Sequence, residues 1–183
     1  MTQQVALLLA DGFEEIEAIT IIDVLRRANV PLRTLSLGSK QVTGAHAIKI
    51  EADGTLEEEQ HKLWEMVIMP GGQAGAEALR DDPRVTSLLE KQLGHNKSVA
   101  AICAAPIALG HHGMLKQHRA TCYPGFEDQL KGAVFVAEKV VIDGKIITSR
   151  GPGTAFEFAF ELVNMLVGRT ESERLRRAML VRA

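Results

Sequence analysis

A chain of 183 residues, 46% apolar and 24% charged, has the length of one compact domain and ample material for a buried core, so a single domain over residues 1–183 is expected and intrinsic disorder is not. Its 21 basic against 23 acidic side chains leave a formal charge of -2, so no overall field draws it to nucleic acid or to an anionic membrane. The longest apolar runs, Val5 to Ala10 and Ser98 to Ala105, fall far short of the roughly 18 residues that span a bilayer.

Met1 to Gln4 lead straight into the first strand with no basic or apolar leader, which makes the cytoplasm the expected location. Val5 to Ala10 is continuously apolar and stops at Asp11 and Gly12, the pattern of a strand buried on both faces of a parallel sheet. From Glu14 to Ala28 the residues Ile16, Ala18, Ile19, Ile21, Ile22, Val24, Leu25 and Ala28 recur at helical spacing, and Asn29 with Pro31 ends the segment. Leu32 to Leu37 reads as a second strand, Val42 to Glu51 as a hairpin or edge pair broken at Gly44, and Glu57 to Glu59 as a solvated turn or helix face. Met66 to Met69 is a third buried strand, stopped by Pro70, Gly71 and Gly72. Gly75 to Arg80 and Val85 to Leu93 predict short helices, the second capped by Asp82 with Pro83 in its first turn. Val99 to Ile102 is a fourth strand ending directly at Cys103, and Ala104 to Gly110 begins a helix with Pro106 in its first turn. Val134 to Val136, Val140 to Ile142 and Ile146 to Thr148 predict further strands, the last two joined by a turn at Asp143 and Gly144. Gly153 to Val167 and Glu171 to Val181 close the chain as helices. Strands alternating with helices predict a doubly wound, mostly parallel α/β sheet with one antiparallel patch.

In such sheets ligands bind at the carboxyl ends of the strands, at the switch point. Asp11 to Glu17, the turn Pro70 to Gly72, and Cys103 to Pro106 all fall there and are assigned to one site. Cys103 faces the unpaired N–H groups of a helix start, which predicts a nucleophile with its pKa lowered from about 8.5 into the range of roughly 3.5–7.5. The same N–H groups suit a developing oxyanion, and the main chain of Gly72 is a candidate second donor, since glycine lets backbone approach a ligand closely. Cys122, with no carboxylate or glycine-rich turn beside it, reads as an inert buried thiol, and its spacing from Cys103 suggests neither a disulfide framework nor a zinc site.

Glu17 shares a helical stripe with Ile21, Val24 and Ala28, and Glu15 shares one with Ala18, Ile22 and Leu25, so spacing leaves both open as an acid/base partner of raised pKa. Simple electrostatic support of the helix N-terminus explains these glutamates equally well. None of the six histidines has the spacing of a metal pair, and all read as surface residues. Ala104, not histidine, follows Cys103, which speaks against a Cys-His protease. The late basic cluster of Arg169, Arg174, Arg176, Arg177 and Arg182 is interleaved with Glu171 and Glu173 and reads as a solvated helix face.

Taken in order, Asp11 to Glu17, Met69 to Gly72, Ala100 to Pro106 and Thr148 to Thr154 resemble the ThiJ/PfpI superfamily over nearly the whole chain, in the branch of the Parkinson-disease-associated protein deglycase and bacterial YajL. The resemblance implies a flavodoxin-like three-layer α/β/α sandwich, a homodimer, and no metal or organic cofactor. It matches Cys103 to the reactive nucleophile, Glu17 to the protonated glutamate beside it, and Gly72 with Ala104 to the backbone donors of an oxyanion pocket. Glu14, Gly71, Tyr123 and His46 are implied to line the site, and Arg27, Arg150, Gly151 and Pro152 to border it on the dimer side, so that each site borrows from the partner chain. Tyr123 stands where the human-type member has a histidine, and His46 where it has an arginine; both departures bear on substrate preference. The implied activity is a glutathione-independent glyoxalase or deglycase acting on methylglyoxal, glyoxal or their early glycation adducts. The alternative is an oxidative-stress sensor and redox-dependent chaperone using the same cysteine.

Overall fold

The first strand, β1 (Val5–Leu9), is buried at every position, as a continuous apolar run must be when helices cover both faces of a parallel sheet. The computed structural model describes residues 4–181; Met1 to Gln3 and Arg182, the last of the basic cluster, lie outside the described residues. From β1 the chain turns into α1 (Glu15–Arg27), which buries Ala18, Ile21, Val24 and Leu25. There follow β2 (Leu32–Ser36), β3 (Gln41–Thr43), β4 (Lys49–Glu51), β5 (Gly54–Thr55), α2 (Leu56–Glu59) and β6 (Met66–Met69). Next come α3 (Gln73–Asp81), α4 (Pro83–Gly94), β7 (Ser98–Ile102), α5 (Pro106–His111), β8 (Arg119–Ala120), β9 (Val134–Phe135), β10 (Val140–Asp143), β11 (Ile146–Ser149), α6 (Ala155–Leu166) and α7 (Arg169–Ala178).

Seven strands form the main sheet in the order β10-β11-β7-β6-β1-β2-β5. Every neighbouring pair is parallel except β10 and β11, whose hairpin forms as expected but turns at Gly144 and Lys145, with Asp143 still paired to Ile146 as the last residue of β10. Val5 lies opposite both Leu32 and Met66, so β1 is central, with β2 on one side and β6, β7 and β11 on the other. The strand order therefore reverses between β1 and β6, and the carboxyl ends of these strands frame a crevice at the reversal.

Alternation along β1 divides the core. Val5, Leu7 and Leu9 pack with α1 and α6 on one face, against Ile21, Leu25, Phe158 and Val163. Ala6, Leu8 and Ala10 pack on the other with Trp64, Leu79, Leu88 and Leu109. Each such buried aliphatic side chain contributes about 1.5–3 kcal/mol relative to exposure, and helices on both faces complete the expected three-layer sandwich.

Short elements depart from expectation. β5 and β8 have only two residues each, too few to show any alternation, and Val134 with Phe135 pairs with β8 in a small separate sheet. The predicted hairpin over Val42 to Glu51 forms as β3 and β4, also outside the main sheet. Among the described residues no helix is long and apolar enough to cross a membrane.

Candidate active site

β7 delivers Cys103 to the carboxyl edge and then bends sharply: Cys103 adopts φ 67°, a left-handed conformation that costs a non-glycine residue about 1–2 kcal/mol. Neighbouring backbone enforces it. The Cys103 N–H donates to the Ser149 carbonyl at 3.0 Å, and the Tyr123 N–H donates to the Cys103 carbonyl at 2.8 Å. The elbow leaves the residue 9% exposed.

From the first turn of α1, Glu17 reaches the same place with 0% exposure. Its Oε2 accepts the Gly71 N–H at 2.7 Å, and its Oε1 is buried without a partner. Gly71 is what allows thiol and carboxyl to meet: a Cβ there would lie 2.5 Å from Cys103 Cβ and 2.7 Å from Glu17 Oε2. Gly72 is equally constrained, because its φ is 85° and a Cβ would sit 2.1 Å from the Gly12 carbonyl oxygen. The backbone N–H groups of Gly72 and Ala104 favour the ionised form of the Cys103 sulfur. Glu14 closes the near side, its N–H donating to the Gly71 carbonyl at 2.8 Å.

Glu15, two residues before Glu17 and so about 200° away around the helix, turns to the hairpin instead. Its Oε1 accepts the His46 N–H at 2.7 Å, and its Oε2 lies 2.8 Å from His46 Nδ1. The His46 ring stands 3.9 Å from a Glu14 carboxylate oxygen at the rim. These three side chains come nearest to a cation site among the described residues, with candidate atoms within 4.8 Å of one another. Both Glu15 oxygens are already engaged by the hairpin, so the arrangement is an ion pair rather than a ligand set.

Tyr123 is half exposed and packs its ring on Gly151, where a Cβ would lie 3.0 Å from Tyr123 Cδ2. Gly151 and Pro152 form a short turn held by Thr154, whose hydroxyl pairs with Ser149 at 2.7 Å. Arg27 is not brought to this chain's crevice: it lies ten residues beyond Glu17, about 15 Å along α1, and its Nε donates to Asp23 at 2.7 Å. A separate cleft of about 230 Å³ at the ends of β1 and β2, lined by Asp11, Ser36 and Gln41 among others, contains neither the thiol nor a glutamate.

The sequence matches the DJ-1/PfpI family over residues 3–165. The chain belongs to that family. It is 39% identical over 182 residues to the DJ-1 homolog B of Arabidopsis thaliana, covering 98% of this chain but only 42% of that longer protein. Against the glutathione-independent glyoxalase DJR-1.2 of Caenorhabditis elegans it is 34% identical, covering 92% of this chain and 91% of the relative. The crystal structure of Drosophila melanogaster DJ-1beta superposes with a TM-score of 0.96 at 35% identity, covering 100% of both chains. The flavodoxin-like α/β fold is thus that of DJ-1 proteins.

The electrostatics of this DJ-1/PfpI chain correct one expectation. Burial pushes Glu17 up to about 7, with the Glu14 charge adding to it and hydrogen bonds from the Cys103 thiol and the Gly71 N–H opposing it. Burial likewise pushes Cys103 up to about 12, reinforced by the Glu17 charge and only partly offset by the Gly72 and Ala104 N–H groups. The expected lowering fails because α5 begins only at Pro106, has six residues, and cannot outweigh the loss of water around the sulfur. Two adjacent groups that cannot both be anions titrate as a pair, and the site favours at most one negative charge.

Cys122 is fully buried, as an inert thiol would be. His112 and His118 are half-buried rather than surface residues, bonded to the Arg80 carbonyl and paired with Asp143 respectively. Among the described residues no histidine hydrogen-bonds Cys103. Sequence reasoning missed Ser149 as the tether of the elbow and Gly44 as the seat of the Glu15 carboxylate, whose Oε1 would lie 2.3 Å from a Cβ at that position. Both are tertiary pairings across more than twenty residues and carry no local signal.

Proposed function

We propose that this chain is a cofactor-independent, glutathione-independent cysteine enzyme that converts 2-oxoaldehydes such as methylglyoxal and glyoxal, or their early glycation adducts, into hydroxy acids. One observation carries the reading: a fully buried carboxyl, Glu17, held by the Gly71 N–H at 2.7 Å and packed across Gly71 from the Cys103 thiol. The C. elegans relative named as a glutathione-independent glyoxalase supports it.

The pair begins the cycle with one proton between sulfur and carboxyl. Transfer of that proton from sulfur to Glu17 makes Cys103 a thiolate, which bonds to the aldehyde carbon; the carbonyl electron pair moves to oxygen, which takes the Glu17 proton to give a hemithioacetal. The Gly72 and Ala104 N–H groups stabilise the oxygen while it is negative. Glu17, now a carboxylate, removes the hydrogen from that carbon, and the ketone oxygen takes a proton from solvent to give an enediol. Glu17 returns the proton to the second carbon while the first oxygen releases its own to solvent, leaving a thioester. Water then breaks the bond between sulfur and acyl carbon, releasing the hydroxy acid and restoring the thiol. The net change is addition of one water, with no oxidant or reductant.

The same reading makes the protein a homodimer. Ile16 and Ile19, one turn apart on α1, and Ile48 on the hairpin are exposed apolar side chains beside the crevice, and a second copy would cover them. Antiparallel packing of two α1 helices would bring Arg27 of one copy towards the crevice end of the other. A Cys-His peptidase is disfavoured, since no histidine is placed to relay a proton from Cys103. The redox-sensor reading draws on the same pocket, whose N–H groups and neutral carboxyl would hold an oxidised sulfur.

The test is methylglyoxal consumption with lactate detection, without glutathione, on reduced wild type, Cys103→Ser and Glu17→Gln. Lactate from wild type, reduced at least about 100-fold in both variants, is expected. No turnover by wild type transfers the preference to the sensor reading, in which Glu17→Gln still oxidises at Cys103.

A further inference from the structure

Thr154 stands at the N-cap of α6, where a threonine hydroxyl ordinarily accepts an N–H of the first helical turn, yet its side chain makes no such bond. The hydroxyl is turned back into the preceding loop instead. Ser149 Oγ–H donates to the Lys139 carbonyl at 2.7 Å, and because a carbonyl only accepts, the serine oxygen is left to accept the Thr154 O–H, also at 2.7 Å. The Thr154 oxygen in turn accepts the Gly151 N–H at 3.1 Å. The protons of this row therefore all point one way, from Gly151 through Thr154 and Ser149 to Lys139. Among the described residues the hydrogen bonds of the Thr154 hydroxyl go to Ser149 and Gly151 alone.

Two members of the row hold the elbow. Ser149 is fully buried at the last position of β11, in register with Ile102, and its carbonyl accepts the Cys103 N–H at 3.0 Å, one residue beyond the end of β7. Gly151 seats the Tyr123 ring, where a Cβ would come within 3.0 Å of Cδ2, and the Tyr123 N–H donates to the Cys103 carbonyl at 2.8 Å. The two main-chain bonds that keep Cys103 at φ 67°, a conformation disfavoured for any residue but glycine, thus both lean on residues joined by one hydroxyl. We propose that Thr154 is a positioning residue for the nucleophile: its hydroxyl, tied to Ser149 and Gly151, holds the Cys103 elbow in its left-handed turn and so keeps the sulfur beside Glu17. The inference rests on the reading of Cys103 as the nucleophile given above. Without the clasp the turn relaxes towards negative φ, which swings the thiol away from the carboxyl.

The experiment is amide hydrogen exchange by NMR at Cys103 and Tyr123, beside kcat and KM for lactate formation from methylglyoxal, in wild type, Thr154→Val, Thr154→Ser and Ser149→Ala. Thr154→Val keeps the shape and loses the hydroxyl; exchange at both amides is expected about tenfold faster, and kcat about tenfold lower at unchanged KM. Thr154→Ser is expected to restore both, and Ser149→Ala, which cuts the same row one link later, to match Thr154→Val. A role confined to α6 predicts the reverse, with faster exchange at Ala159 and Phe160 while Cys103 and Tyr123 are unmoved. That result overturns the proposal, as does Thr154→Ser behaving like Thr154→Val, or an unchanged kcat once the two amides have moved. Exchange needs no substrate, so the two readings fail separately. A wild type that forms no lactate while its amides respond as expected overturns the enzyme reading and leaves the clasp on the elbow; full kcat in Thr154→Val with unmoved amides overturns the clasp and leaves the enzyme.

Discussion

Glu17 shows how a single side chain is set by what surrounds it rather than by what it is. Desolvation favours its neutral form, so the folded protein holds the Glu17 proton more tightly than the unfolded chain does. Stability from this source is complete below the ordinary value of 4.5 and is lost as pH rises towards about 7. The loss approaches about 3 kcal/mol at full ionisation, by the conversion of pKa difference to free energy. Glu17→Gln keeps the shape and removes the ionisation, so it is expected to gain that amount over wild type between acid and neutral pH in urea unfolding. Equal pH dependence of the two proteins would contradict a buried, titrating carboxyl. Burial of Glu17 was half legible in the sequence: the stripe it shares with Ile21 and Val24 pointed inward, but Glu15 had an equally good stripe and is also buried. What separates the two is the hairpin on one side and the Gly71 turn on the other, and neither neighbour is visible from the spacing of α1.

At the scale of elements, α1 works as a two-sided mount, holding Glu17 against Gly71 and Glu15 against the turn between β3 and β4. The hairpin belongs to no main sheet, so its place depends on Glu15, on the Gly12 N–H donating to Thr43 and on the Asp11 carboxylate accepting from the Thr43 N–H. Gly44→Ala would push a methyl group into the Glu15 carboxylate. The expected result is a loss of about 1–3 kcal/mol, with hydrogen-exchange protection lost at His46 and Ile48 while β1, β6 and β7 keep theirs. Unchanged protection at Ile48 would show that Glu15 does not anchor the turn. The long elements were legible because burial on two faces leaves an unbroken apolar run and burial on one face leaves a helical stripe. β5 and β8 were not, since a strand of two residues takes its identity wholly from the strand beside it.

On the scale of the whole molecule, the helix that carries Glu17 also presents Ile16 and Ile19 to solvent, so assembly and site are expected to be coupled. Ile16→Asp with Ile19→Asp is expected to convert a dimer to a monomer by light scattering, with little change in monomer stability because both side chains are already exposed. A monomeric wild type would remove the dimer from the proposal. By itself the sequence determined the layer order, the parallel sheet and the crevice edge on which Cys103, the acidic turn and the double glycine meet, because apolar periodicity and turn residues are local properties. Only the tertiary structure decided the protonation of the site. Hydration is lost where separate segments close on one another, and here that closure raises both Cys103 and Glu17, where the helix start alone had predicted a lowered thiol.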